Sequence, residues 1–507
     1  MNRRSFLTSS FAAAAALRES RAAAERVNHH LPARETREGQ SYIEDIPIPE
    51  YRWASDAAYE RFRDMKYGVR LHWGLYSILG QPNESWPFLA MSREDRQRYQ
   101  SMYQTWNPRG FNADEWMDLF ATCGMKMFAF TAKHHEGFCM FDTHTRVRSR
   151  TNWTAPGGPK MEACDLAYSI METPFRRDVV KELCDAAHKR DIKIDLYFSH
   201  PDWYDTDFRP YGPHPLQVPS SNILDPGGLN DAKRRLGDRM VIVPDPTPAE
   251  VSRMMARHRA QLSELLTRYG TIDMICLDIH LGPKVWPQLR ETMLQLRKLQ
   301  PDVMLRDRGI GNYGDYYTPE GFVPGSKENT DTPWFVIYPL GRSFSYESVP
   351  SNYKGPGWIV QNLVDSVAKG GNFMVAVGPN GDGQFHPTAI SQLKDAGEWL
   401  KVNGGGIYAT RARDGALWSE GADIRFTRSK DNRTVYAFAL QWPGEKLVLR
   451  TVKPVAGSEI RMLGSSEPLK WSATDTGVEI QIPSGMQEES RRPCHFVWGF
   501  QIHAALA

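Results

Sequence analysis

Five apolar runs of strand length, each ending in polar residues, constrain the fold of this 507-residue chain more than any other feature. They lie at 67–73, 125–135, 192–200, 274–280 and 303–308. A strand buried on both faces carries its apolar residues through to the end. Five successive interruptions at the same end therefore imply one shared polar pocket. In the fourth run Ile272, Met274, Ile275, Cys276 and Leu277 lead directly into Asp278. An ionised aspartate is rarely buried without partners, so Asp278 either caps a strand or serves a site.

Between the runs the spacing turns helical. At 175–189, Phe175, Val179, Leu183, Ala186 and Ala187 share one face. At 254–269 the shared face holds Met254, His258, Gln261, Leu262, Leu265 and Leu266, and the pattern recurs at 358–369 and 390–402. Strands alternating with helices over roughly 350 residues predict a (β/α)8-like barrel, in which chemistry-bearing side chains collect at the carboxyl ends of the strands. A doubly wound open sheet is the rival, but no G-x-G-x-x-G follows the first strand. From 416 onward short alternating runs, broken by Gly, Asp-Asn and Pro-Ser-Gly turns, predict a C-terminal antiparallel β-sandwich.

The length suits two domains, and the expected division is 1–25 export signal, 26–405 catalytic barrel and 406–507 sandwich. Arg3-Arg4-Ser5-Phe6-Leu7, an apolar stretch at 11–17 and small residues at 22–24 have the form of a twin-arginine signal. Such a signal places the mature protein in a bacterial periplasm or outside the cell. A net charge of +2 argues for neither nucleic acid nor an acidic surface as partner, no later segment is apolar enough to cross a membrane, and oligomeric state leaves no mark. Cys123, Cys139, Cys164, Cys184, Cys276 and Cys494 lack C-x-x-C spacing and several sit in apolar runs, so buried thiols are expected. Two insertions stand out: 83–103, carrying Trp86, should cover a rim, and 205–247 is too long for an ordinary connection.

The polar ends are rich in groups that bind hydroxyls. They read Leu71-His72-Trp73-Gly74, Lys133-His134-His135-Glu136-Gly137-Phe138, Tyr197-Phe198-Ser199-His200, then Asp278 and Arg308. His134 and His135 are adjacent, so on a strand they point to opposite faces and do not share a metal easily. Neither H-E-x-x-H nor G-x-S-x-G occurs, so zinc and serine chemistry lack their signatures. Two carboxylates remain, Asp278 and, on the loop beyond Arg308, Glu320. Retaining glycoside hydrolysis needs such a pair: one ionised as nucleophile, one protonated as acid and then base, about 5 Å apart.

These residues resemble the α-L-fucosidases of glycoside hydrolase family twenty-nine. The likeness runs from about 67 to 410 through Tyr67-Gly68-Val69-Arg70-Leu71-His72-Trp73-Gly74, Lys133-His134-His135-Glu136-Gly137-Phe138, Thr318-Pro319-Glu320, Gly370-Gly371-Asn372 and Gly378-Pro379-Asn380-Gly381-Asp382-Gly383. The resemblance implies the same barrel and sandwich, a fucosylated oligosaccharide or glycoconjugate as substrate, and no metal or organic cofactor. It implies Asp278 as nucleophile and Glu320 as acid/base, with Glu328, Glu347 and Glu136 as other candidates for the second role. His72, His134, His135, Tyr197 and Arg308 would hold the sugar hydroxyls, with Glu84 and Trp86 at the rim and Trp73 or Phe138 against the C6 methyl. Three departures stand out: Ser85 separates Glu84 from Trp86, Cys276-Leu277-Asp278 replaces the usual W-F-D, and Trp334-Phe335 stands where many members have Trp-Glu. An α-L-galactosidase and a non-catalytic carbohydrate-binding protein are the alternatives at this point.

Overall fold

The computed structural model describes residues 42–212, 214–216, 244–319, 323 and 332–504. The export signal, Glu320, Glu328 and most of the 205–247 excursion lie outside the described residues. Strands β1 (Tyr67–Leu71) and β2 (Met127–Lys133) come first, followed by a hairpin of β3 (Val147–Asn152) and β4 (Lys160–Leu166). Then come β5 (Lys193–Ser199), β6 (Met274–Asp278), β7 (Met304–Leu305), β8 (Phe335–Pro339) and β9 (Asn372–Ala376).

Seven of these form one sheet in the order β7-β6-β5-β2-β1-β9-β8, every pairing parallel. Each strand but β8 therefore pairs with its predecessor in the winding, and β9 returns to β1. A doubly wound sheet would instead reverse direction part-way. The gap between β7 and β8 is spanned by a rudimentary eighth stave, in which Arg306 bridges Tyr316 and Tyr317 bridges Trp334, both in parallel. The result is the predicted (β/α)8-like barrel.

Residues of β1, β2, β6 and β9 are buried at every position, which is why their sequences read as apolar runs rather than alternations. Met127, Ala129, Met274, Met304, Phe335, Ile337 and Met374 form a separate small core with Tyr59 and Phe62 of helix Asp56–Met65. That helix starts at Ser55, whose side chain accepts from the Ala58 N–H. Helix Pro248–Thr267 opens on a full capping box between Thr247 and Glu250, and it buries Met254, His258, Gln261, Leu262, Leu265 and Leu266, the predicted face. The helix predicted at 175–189 is shorter, Val179–His188. Asp178 is its N-cap, accepting from the Lys181 N–H, and Arg176 has a left-handed φ of 49°, so Phe175 cannot be helical.

Beyond helix Pro387–Asn403 the chain becomes antiparallel. A six-stranded sheet runs Ser419–Glu420, Ile424–Arg428, Thr434–Ala439, Trp498–His503, Ile460–Met462, Pro468–Leu469. A three-stranded sheet runs Lys446–Leu449, Val478–Gln481, Trp471–Ala473. The last long strand, Trp498–His503, lies between two others and was not anticipated. The barrel and the sandwich share one apolar core. Trp399 donates its indole N–H to the Val497 carbonyl, and Asn403 accepts from the Gly499 N–H at 3.2 Å. All six cysteines are unpaired, five of them buried, as their apolar settings predicted.

Candidate active site

The carboxyl ends of β1, β2, β5, β6 and β7 converge on Asp278, only 8% exposed. The Tyr197 hydroxyl, at the end of β5, donates to its Oδ2 at 2.6 Å, and Ser199 in turn donates to the Tyr197 oxygen at 3.0 Å. On the other oxygen Arg308 donates from Nη1 at 2.8 Å, with Arg306 Nη1 at 3.5 Å. Burial alone would raise this pKa. The Arg308 and Arg306 charges outweigh it, aided by His135 and the Tyr197 hydrogen bond, and hold the carboxyl well below the usual range. Asp278 is thus a buried anion kept ionised, with its geometry fixed from both sides. The backbone contributes as well: Ile279 directly after it sits at φ 60°, a conformation a β-branched residue adopts only under constraint.

The histidines differ in what they offer. His135 places Nε2 3.7 Å from Asp278 Oδ2, and neither of its buried ring nitrogens has a hydrogen-bond partner among the described residues. Both nitrogens are therefore open to a hydrogen-bonding ligand. His72 is already committed: Arg70 Nε donates to its Nε2 at 3.2 Å, and Thr131 Oγ1 lies 3.0 Å from its Nδ1. It therefore packs the site through its ring, 5.5 Å from Tyr197 and 5.6 Å from His134. His134 stacks on Tyr197 at 5.4 Å and takes Ser85 Oγ at 2.5 Å on Nδ1. Burial depresses the pKa of all three rings, His134 to about 3, so they face the site neutral.

The opposite-face argument for the adjacent histidines does not hold in the fold. Strand β2 ends at Lys133, after a register shift between Thr131 and Lys133. The two rings then turn to within 4.3 Å of each other.

The rim loop delivers Trp86, whose ring meets His135 at 4.7 Å and Trp203 at 5.6 Å. Glu84 is buried and accepts from Ser345 Oγ at 3.2 Å, which ties the loop to the segment after β8. Trp73 is set apart from this cluster. It is fully buried among Trp106, Phe111 and Trp116, with its indole N–H donated to the Asn380 carbonyl, and Phe138 packs on Trp106 and Tyr168. Of the other carboxylates considered for acid/base work, Glu347 is held as an anion. Burial works to raise its pKa, but the Val349 N–H, Asn352 and Arg342 bring it down to about 2. Glu136 is the reverse case, pushed up to about 8 by burial.

Sequence reasoning missed Arg306, Arg70 and Phe344. Arg306 and Arg308 are two apart, as are Arg70 and His72, and residues at that spacing on a strand share a face, so the signal was available. Phe344, half-buried 5.7 Å from the His72 ring, lies in a stretch without periodicity.

With this geometry in hand the relatives are informative. The α-L-fucosidase family profile matches residues 48–405, and that of the α-L-fucosidase C-terminal domain matches 419–503. The human tissue α-L-fucosidase is 28% identical over 509 residues, covering 95% of this chain and 94% of its own. The plasma α-L-fucosidase of Pongo abelii is 26% identical over 463 residues, covering 87% and 89%. Among solved structures, α-L-fucosidase isoenzyme 1 from Paenibacillus thiaminolyticus superposes with a TM-score of 0.69 at 24% identity, covering 88% of this chain and 99% of that one. A Bacteroides thetaiotaomicron α-L-fucosidase, trapped as a covalent intermediate, gives 0.67 at 23%, covering 90% and 99%. These structures share the fold. A barrel that gathers a buried anionic aspartate and neutral histidines at its mouth, matched over most of its length by that profile, belongs to the α-L-fucosidase family of glycoside hydrolases.

Proposed function

We propose that this protein removes terminal α-L-fucosyl residues from glycans by double displacement, with Asp278 as nucleophile. The observation that carries the reading is the state of Asp278, buried yet ionised, one oxygen held by Tyr197 and the other by Arg308 and Arg306. Asp278 attacks the anomeric carbon and forms a β-fucosyl ester while the glycosidic oxygen takes a proton from the acid. The acid, now a base, draws a proton from water, which attacks the same carbon, and L-fucose leaves with its configuration retained. Glu320 fills that second role on the sequence pattern, His135 and Arg308 hold hydroxyls, and Trp86 walls the sugar site. The covalent intermediate of the Bacteroides relative supports the two-step course.

Paired Arg3 and Arg4 ahead of an apolar stretch support export to a periplasm or beyond. Among the described residues no helix is long and apolar enough to cross a membrane. The division at about residue 405 into a catalytic and an accessory part accompanies this reading.

The test is azide rescue on an activated fucoside. Asp278→Gly should lose at least about a thousandfold in kcat and recover with azide, giving the β-fucosyl azide. Glu320→Gly, still able to form the ester, should give the α-fucosyl azide. Undiminished hydrolysis by Asp278→Gly would refute the assignment.

A further inference from the structure

Ser85, the residue between Glu84 and Trp86, reaches into the site. Its Oγ lies 2.5 Å from His134 Nδ1, and Glu136 Oε2, buried and without a hydrogen-bond partner among the described residues, lies 3.5 Å from the same nitrogen. All three side chains are at most 3% exposed, so water does not blur their bonding. A serine hydroxyl has one proton, and towards Nδ1 it either donates or accepts. A neutral imidazole also has one N–H, and the bond at one nitrogen decides what the other can do. With Nδ1 taken by Ser85, Nε2 is the nitrogen left for a sugar.

Resting on the proposed fucosidase function, we infer that Ser85 is a positioning residue that couples the proton on Glu136 to the tautomer of His134, and so sets whether His134 donates to or accepts from a sugar hydroxyl. With Glu136 protonated, the carboxyl O–H donates to Ser85, Ser85 donates to Nδ1, and Nε2 carries the N–H. Loss of one proton reverses the chain. The Glu136 proton passes to Ser85 Oγ, the Ser85 proton passes to Nδ1, and the Nε2 proton leaves to water. Ser85 then donates to the Glu136 carboxylate and accepts from Nδ1–H, while Nε2 is a bare acceptor. The net change is one proton.

The surroundings place this reversal in a usable range. Burial pushes Glu136 up to about 8, the Ser85 hydroxyl tempering the rise. Asp202 and Lys133 act on Glu136 in opposite directions, and the phenols of Tyr76, Tyr99 and Tyr168 face it, all kept un-ionised by burial. Burial holds His134 neutral, with Asp278 and Arg70 pulling its pKa in opposite directions. Glu84 faces Tyr76, and the rings of His72, His135 and Tyr197, at 5.6, 4.3 and 5.4 Å from His134, are all kept uncharged by burial.

The experiment follows the 15N shifts of His134 in histidine-labelled protein between pH 6 and 9, assigned by the signal lost in His134→Gln, beside kcat/KM profiles. In the wild type Nε2 should change from protonated to bare near pH 8. Glu136→Gln, whose amide always donates to Ser85, should keep Nε2 protonated throughout. Ser85→Ala should abolish the coupling and lower kcat/KM about tenfold at pH 6, and Ser85→Thr should restore both. A His134 tautomer that is constant in the wild type, or that still switches in Ser85→Ala, overturns the inference. Absence of fucose release by the wild type would instead sink the proposed function, and it leaves the tautomer measurement readable.

Discussion

Arg308 and Tyr197 do the work of keeping one carboxyl charged in a place where burial opposes charge. Because the folded pKa of Asp278 is depressed, its ionised form persists as pH falls, until the proton finally outcompetes the arginines. Replacing Arg308 with methionine should therefore move the acidic limb of the kcat/KM profile to higher pH, while Arg306 keeps part of the effect. A limb that stays in place would show that Arg308 is not what holds the charge. Glu136 carries the opposite sign. Its folded pKa, about 8, lies above the roughly 4.3 of an unfolded glutamate. The native state therefore keeps a proton that the unfolded chain releases, and its contribution to stability is full below about pH 4.3 and is lost as pH rises towards 8. Glu136→Gln removes that dependence, so its melting temperature should exceed the wild-type value by more at pH 8 than at pH 5.

At the scale of elements, Asp202 and the described start of the 205–247 excursion are bound to helix Pro248–Thr267 by ion pairs. Arg257 Nη1 donates to Asp202 at 2.7 Å and to Asp205 at 3.2 Å, and Arg253 holds Asp207 at 2.6 Å. Arg257→Met removes the arginine shared by two buried carboxylates, a change that typically costs about 3–5 kcal/mol, and the midpoint of urea unfolding should fall accordingly. These elements show how much could be read in advance. The strands were legible because the barrel buries them on both faces, and helix Pro248–Thr267 because its apolar spacing and cap agree. Strand ends sharing one mouth pointed to a common polar pocket, and Asp278 and Arg308 meet in it. What sequence could not supply was direction: whether His72 spends its nitrogens on the protein, or Trp73 faces the core, is decided by contacts with Arg70, Thr131 and Asn380 that form only once the chain is folded. The rudimentary stave at Tyr316 and Tyr317 escaped for a related reason, since two single bridges leave no periodicity to detect.

The whole molecule buries barrel and sandwich in one continuous core, with Trp399 and Asn403 gripping the sandwich from the last barrel helix. Its thiols sit almost entirely inside that core: burial pushes Cys123 and Cys139 up to about 12 and Cys164, alone partly open, up to about 11. Alkylation requires a thiolate that a reagent can reach. Brief treatment of the native protein with iodoacetamide should therefore mark Cys164 alone by peptide mass spectrometry, whereas urea should expose all six. Such an enzyme has no cross-link for a reductant to break and almost no thiol that an oxidant can reach, so its working life should not depend on the thiol–disulfide balance of the medium around it.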